Sequence, residues 1–565
     1  MNRNKLFTVV CLTAAMAACT SGDINIDPST VSGDTITNNS GGGGGTDPNA
    51  MCASYVRSGQ TIQGTADGNG NCTYGAAFVG PKNNLEEDLF IPALPNGGAH
   101  IFTTSLFVGN TYRTQAELAA AGISKGGDGP TLVIEAGATL AFESKEDFLV
   151  INRGSQILAD GTADAPITFT SVSDINGTVT PEAVEEWGGI VIDGFAVTNK
   201  CAYTGTRGQP GFGLVGECSL DSEGSEGDDA NQYGGANDDD DSGILRYVVV
   251  KHTGAEVGNG DELNGISFAA VGRGTVVDHL EMYSMFDDGF EMFGGSVDVN
   301  HYLGMYIRDD SIDIDEGYNG HITNALVIQQ QQDGDHCIEA DGLGDWSNLD
   351  QATKDDFIAR GLNSRPVIDH LTCILSATNA GTREDLLSQG WRLREGIWPT
   401  ISNTLVISTF QAPGDPAALN ECLRMESPEV QNAALNGDMH LNSVIFACQD
   451  PSSGVGFGSF ADEQAWAEST GTVQFATVAA DAAMNPTANA DTDLQLLGGT
   501  LPVYSLQWAT SMVDGAAPIA GTQPTDSSDY LGAMPVSAEG TSDDWTVGWT
   551  YGLHPDNRGE PLWFE

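Results

Sequence analysis

From about residue 130 the chain is built of short apolar runs separated by Gly, Asn and Asp: "TLVIEAGATLAF", "FLVINRGSQILADGTADAPITFTS" and "WGGIVIDGFAV". Apolar and polar positions alternate within them, which predicts strands rather than helices, and no long amphipathic helix interrupts the series. A repeat then emerges. The apolar residues Ile266, Phe290, Ile312 and Ile338 recur at intervals of 24, 22 and 26. Each of the first three is followed by a second strand-like run, "GTVVDHLEMY", "GSVDVNHYLGMY" and "NGHITNALVIQ". "PVIDHLTCIL", "TISNTLVIS" and "MHLNSVIFAC" resume the pattern after longer insertions. A period in the low twenties with two or three strands per repeat predicts an all-β, right-handed parallel β-helix, a solenoid whose coils are stable only when stacked. A propeller would need longer blades with hairpins, and a leucine-rich repeat its own consensus. The predicted division is a capping region over 51–129, the β-helix over 130–450, and its C-terminal end and cap over 451–565.

The repeat has a polar counterpart. If Phe290, Ile312 and Ile338 point inward, then Glu291, Asp313 and Glu339 point outward and stack at about 4.8 Å, the parallel strand spacing. Phe293, Asp315 and Asp341 share that outer face, and the preceding corner carries Asp287, Asp309 and Asp335 beside Asp288, Asp310 and His336. Like charges at that separation repel by about 1 kcal/mol in water and by several-fold more near a protein surface. Such a series calls for protonation, opposing arginines or a bound cation. Clustered carboxylate oxygens suit Ca2+, which accepts six to eight loosely arranged ligands; one imidazole, His336, is a weak pointer to a transition metal. The competing reading is a solvated face that protects the sheet from aggregation, with Asp and Gly serving the turns. The candidate Ca2+ ligands are therefore Asp287, Asp288, Glu291, Asp309, Asp310, Asp313, Asp315, Asp335, Glu339 and Asp341. A second acidic block, Asp238 to Asp241, is either a solvated loop or a further chelating group. Downstream stand Arg392, Arg394 and Arg424. If Leu393 and Leu423 point inward, Arg394 and Arg424 continue the outer column, as charge compensation or as candidate bases. Trp391, Trp398, Tyr302, Tyr306 and Tyr318 flank these coils, covering coil edges or forming a carbohydrate platform. His252 and His279 read as structural.

Charge narrows the partners. The 565 residues carry 22 Lys and Arg against 78 Asp and Glu, a formal net charge of −56. No basic surface is available to release counterions from phosphates, so nucleic acid is excluded. No Walker A loop and no G-x-S-x-G elbow occurs.

The N-terminus reads as an address. Arg3 and Lys5 precede "LFTVVCLTAAMAAC", an apolar run too short to span a bilayer and suited to an export signal over 1–18. "MAAC" resembles the lipobox of bacterial lipoproteins, which implies cleavage before Cys19 and acylation of Cys19. Thr20 is not the Asp that retains some lipoproteins at the inner membrane, so the expected location is the outer membrane, on its periplasmic or cell-surface face. Residues 19–50, with "NNSGGGGGTDPNA", form a flexible tether of roughly 30 Å reach. Eight further cysteines fall in local couples, and nearest-neighbour disulfides are the simplest account in an oxidising compartment: Cys52 with Cys72, Cys201 with Cys218, Cys337 with Cys373, Cys422 with Cys448.

Several long segments resemble a group of bacterial β-helix envelope lipoproteins: "YGGANDDDDSGILRYVVVKHTG", "ELNGISFAAVGRGTVVDHLEMYSMFDDGFEMFGG", "DDSIDIDEGYNG", "GWRLREGIWPTISNTLVIS" and "DDWTVGWT". The resemblance implies fold and envelope location, and no activity. The function expected is binding or scaffolding at the outer membrane on a Ca2+-stabilised face, with a polysaccharide or an outer-membrane protein as partner. The alternative is a Ca2+-dependent polysaccharide lyase. It rests on likeness to pectate-lyase-like β-helix enzymes, in which carboxylate-held Ca2+ neutralises a uronate and an Arg (here Arg394 or Arg424) removes the α-proton.

Overall fold

The computed structural model describes residues 47–225, 231–258, 261–331, 333–344, 346–376, 389–407, 421–448 and 450–452, and shorter pieces between 457 and 562. The signal, Cys19 and nearly all of the tether lie outside them. No helix among the described residues is long and apolar enough to cross a membrane.

Two sheets carry the chain, parallel throughout except where Thr65–Ala66 pairs antiparallel with Cys72–Tyr74 at the start of the larger one. One has ten strands in the order of the sequence, from Leu106–Val108 through Phe148–Ile151, Gly189–Asp193, Ile266–Ala269, Phe290–Phe293, Asp313–Asp315, His336–Asp341, Gln389–Arg394 and Glu421–Met425 to Asp450–Ser452. The other has sixteen, dominated by the eight-residue strands Val276–Tyr283, Asp298–Met305, His321–Ile328, Val367–Ile374, Thr400–Ile407 and His440–Ala447. From Ile266–Ala269 onward successive strands alternate between the two sheets, so each circuit adds one rung to both: a parallel β-helix. The inward residues form one continuous core in which Ile266, Phe290, Ile312 and Ile338 are fully buried. Near its start the rings of Tyr74, Phe102, Phe142 and Trp187 stack in series at 4.8, 5.5 and 4.7 Å. Trp391, Tyr302 and Tyr318 also lie inside, Tyr306 is buried on the outer flank, and Trp398 is half-buried beneath Arg365, so none of the five forms an open carbohydrate platform.

Each eight-residue strand is really two. His279, His301, Asn324, His370, Asn403 and Ser443 all have φ between 53 and 58°, as does Tyr247 at 49° in Gly243–Lys251. A single left-handed residue turns the chain sharply, and the pairing register skips it in successive coils. Gly243–Lys251 makes the division visible, because its two halves pair with separate strands, Gln156–Asp160 and Ile167–Ser171.

All four expected disulfides are formed: Cys52–Cys72, Cys201–Cys218, Cys337–Cys373 and Cys422–Cys448. Cys337–Cys373 joins the two sheets across the core. Two boundaries differ from expectation. Parallel pairing begins well before residue 130, where Cys72–Tyr74 meets Ala99–Phe102 and Leu106–Val108 meets Phe148–Ile151. Near the other terminus, the described residues of 457–475 close on the last coils, but the described residues of 525–562 run back along the flank. There Ala533, Met534, Leu553 and Leu562 cover an outer apolar patch of Tyr283, Leu303, Met305, Leu326 and Ile328.

Candidate functional site

The outer face of the ten-stranded sheet holds the acids where the repeat places them. Its register aligns Ser267, Glu291, Asp313, Glu339, Arg392 and Arg424 in one column. A second column runs through Phe293 and Asp315, and Asp341 stands opposite Arg394. Thus the arginines divide differently from expectation. Trp391, not Leu393, takes the inward place opposite Ile338, so Arg392 and Arg424 continue the Glu339 column while Arg394 stands one outward step over.

At the corner, side chains lock successive coils together. Asp288 Oδ1 accepts from the backbone N–H of Asp310 at 3.0 Å, and Asp310 Oδ1 accepts from that of His336 at 2.8 Å. His336 Nδ1 lies 2.7 Å from Asp310 Oδ1, 3.3 Å from Glu339 and 3.5 Å from Asp335. One carboxylate oxygen from each of Asp288, Asp309 and Asp310 fits within a 4.8 Å span, as does one from each of Glu262, Asp287 and Asp309. These oxygen-only sets match the donors a hard cation takes; Asp310, Asp335 and His336 form a mixed set.

The face is not an exposed ladder. Asp288, Glu291, Asp310, Glu339 and Asp341 are each no more than 9% exposed, and Asp309, Asp313, Asp315 and Asp335 are half-buried. Two insertions flank it. The first, between Asp193 and Gly243, carries the Cys201–Cys218 disulfide; its Glu223 shares the Asn264 amide with Glu291, at 2.8 and 2.9 Å. The second carries the helix Gln351–Ala359, started by Asp350, whose side chain accepts from Thr353 N. Arg207 N donates to Arg360 O at 3.0 Å, and Arg360 Nε to Gly205 O at 2.8 Å, which clamps one insertion on the other. Behind the acids, buried Glu316 accepts from Thr198 and Tyr233 at 2.7 and 2.9 Å.

Burial therefore sets the electrostatics. It raises the carboxyls of Asp288, Glu291, Asp310 and Asp313 well above their ordinary range, and neighbouring carboxylates raise them further. Asp315 is pushed up to about 7, again by burial first and then by Glu316. Glu339 goes the other way: burial opposes its charge, but His336, Arg394 and Arg392 together hold it below the usual range. Arg392 lies 3.0 Å from Glu339 and 2.5 Å from Glu426, while Arg394 grips both Glu339 and Asp341. Arg424 approaches Glu426 at 3.6 Å. The groove is thus compensated at its C-terminal end, and acid-rich over the coils of Asp287 to Asp315.

Asp238 to Asp241 are each taken up by contacts within the protein. Asp238 takes Arg207 through both oxygens at 2.8 and 2.7 Å, and Asp239 faces Arg273 at 3.3 Å. Asp240 accepts from the backbone of Gly126 and Phe195, and Asp241 from that of Gly243. These contacts pin the rejoining loop to the coil, the turn chemistry that Asp supplies readily.

No curated protein and no solved structure matches the chain. A family model for the pectate-lyase-like β-helix domain matches residues 103–510, most of the chain and all of the acidic groove. On that match, and on the parallel coils that bear it out, the chain belongs to the pectate-lyase-like β-helix family.

Proposed function

We propose that this is a carbohydrate-binding β-helix protein of the bacterial outer membrane, held there by lipid on Cys19, whose acidic groove binds Ca2+. The observation that carries the reading is the alignment of the acid-rich coils: carboxylates from successive turns converge on the corner at Asp288, Asp309 and Asp310, and the column through Glu291, Asp313 and Glu339 meets its first arginine at Arg392. A bound divalent cation offsets that charge and offers an anchoring point for an acidic sugar. Calorimetric titration of the chelator-treated protein with Ca2+ is expected to show saturable binding, and uronate oligosaccharides are expected to bind only afterwards. Absence of Ca2+ binding would end the proposal. The anchor is tested separately. Labelled palmitate is expected to enter the protein in a bacterial host, and Cys19→Ala is expected to abolish both labelling and membrane fractionation; labelling that persists would remove the anchor.

The lyase alternative draws on the groove itself, since the acids are enclosed and arginines border them. Arg394 is ill suited to be its base. Burial alone would ease the loss of its proton, but Glu339 and Asp341 outweigh that and hold it more tightly. Arg424, with the looser contact, is the better candidate. Appearance of unsaturated sugar ends on incubation with a uronate polymer and Ca2+, lost in Arg424→Ala, would favour the enzyme; binding without cleavage favours the binding protein.

A further inference from the structure

The long sheet carries a second constellation, on a different face from the acidic groove. The left-handed corner residues Tyr247, His279 and His301 stand in three successive coils, and the same backbone turn in each stacks their rings, with centroids 4.2 Å apart at each step. Asp278 precedes His279 and turns its carboxylate toward both imidazoles. Its Oδ1 lies 3.0 Å from His279 Nδ1 and 2.8 Å from His301 Nδ1, with the Asn300 amide 3.2 Å away. Three nitrogens thus converge on one oxygen that has two lone pairs. They are not all satisfied by it. His301 makes a well-formed hydrogen bond, but His279 Nδ1, shielded from solvent, makes none despite its closeness. One ligand atom from each of Asp278, His279 and His301 fits within a 4.8 Å span.

We propose that Asp278, His279 and His301 form a binding site for a divalent transition metal such as Zn2+, Ni2+ or Cu2+, separate from the Ca2+ groove. Two imidazole nitrogens and one carboxylate oxygen are borderline donors, which such ions prefer and Ca2+ does not. The ion takes the Nδ1 lone pairs and gives the unbonded His279 nitrogen a partner. Asn300, which holds Asp278 Oδ1 and accepts from Thr323 and Asn324 through its own oxygen, orients the carboxylate from outside. The site is reachable: His301 and Asp278 are half-buried, at side-chain exposures of 24% and 28%. Trp545 and Trp549 border it, with ring centroids 5.3 Å from His301 and 5.8 Å from His279.

Those indoles supply the readout. The full protein, stripped of metal and held in excess Ca2+ so that the groove is occupied, is titrated with Cu2+ while tryptophan fluorescence and the paramagnetic spectrum are followed. One Cu2+ per chain is expected to quench fluorescence and show hyperfine structure from two imidazole nitrogens. His301→Asn is the informative variant, because asparagine occupies the equivalent corner in the next coil as Asn324. It is expected to lose one nitrogen and weaken binding at least about 10-fold, with an unchanged melting temperature in the absence of metal. Asp278→Asn provides an independent second test and is expected to weaken Cu2+ while leaving two nitrogens. An all-oxygen spectrum, or two nitrogens that survive the double change His279→Asn and His301→Asn, would overturn the site. Neither result bears on Ca2+ binding in the groove.

Discussion

Stripped of divalent cations, the protein is expected to become less stable as pH rises from about 4 to about 8. The sign follows from direction. Asp315 titrates at about 7 in the folded chain against the ordinary 3.8, and burial raises Asp288, Glu291, Asp310 and Asp313 as well. A carboxyl whose folded pKa is raised stabilises the fold fully below its unfolded pKa, and that contribution is lost as pH climbs through the folded value. Carboxyls held low act at the other end: Asp278, where His279 and His301 outweigh burial, costs stability only in stronger acid. The chelated melting temperature is expected to fall on the order of 5 °C across the window. Saturating Ca2+ is expected to flatten the profile, since a ligand at 100 times its dissociation constant adds about 2.7 kcal/mol to the native state. Asp310→Asn separates the causes, because it keeps the oxygen that His336 N uses while removing charge from two of the clusters. It is expected to raise the chelated melting temperature at pH 8 and to shrink the response to Ca2+. A variant that melts lower and still responds in full would mean that the groove's charge is not what the cation relieves.

The second large effect is expected at Arg392. Its guanidinium bridges Glu339 and Glu426, and Glu339 is only 7% exposed. Arg392→Ala would take one of three cationic partners from buried Glu339, leaving Arg394 and His336, and the nearest one from Glu426; loss of such charged hydrogen bonds costs about 2–3 kcal/mol. Removing the charge that needs compensating should return much of the loss, so Arg392→Met with Glu339→Gln is expected to unfold at a higher denaturant concentration than Arg392→Ala alone. Additive losses across Arg392→Met, Glu339→Gln and the double variant would show that the pair is not coupled and that Arg392 has another task.

The columns were legible because a parallel coil fixes its own register. Once Phe290, Ile312 and Ile338 are inward, Glu291, Asp313 and Glu339 can only be outward neighbours, and the structure pairs them so. The same reasoning slipped at the arginines. Two apolar residues, Trp391 and Leu393, both suit the core, and only the neighbouring coil decides that Trp391 meets Ile338. Enclosure of the acids was not legible either, since it depends on Arg207 and Arg360 joining insertions whose sequences contain no repeat. The bend in the long strands did leave a trace. "VDHLE", "VNHYL", "TNALV", "IDHLT" and "SNTLV" each place a polar pair amid apolar residues, and the second of each pair is the left-handed corner. Read as interruptions of a strand, those pairs mark corners, and they would have drawn His279 and His301 out of the background.

The segment that runs back along the flank has a consequence for how the molecule is made. Tyr283, Leu303 and Leu326 belong to coils complete by residue 328, yet Met534, Leu553 and Leu562 cover them. Synthesis proceeds from the other end, so the coils can stack while this apolar stripe is still bare. Even Ile374, the last residue of the stripe, precedes Ala533 in its cover by 159 positions, from 374 to 533. During that interval an unfinished chain presents a greasy flank to its surroundings, and residues made much later are the ones that seal it.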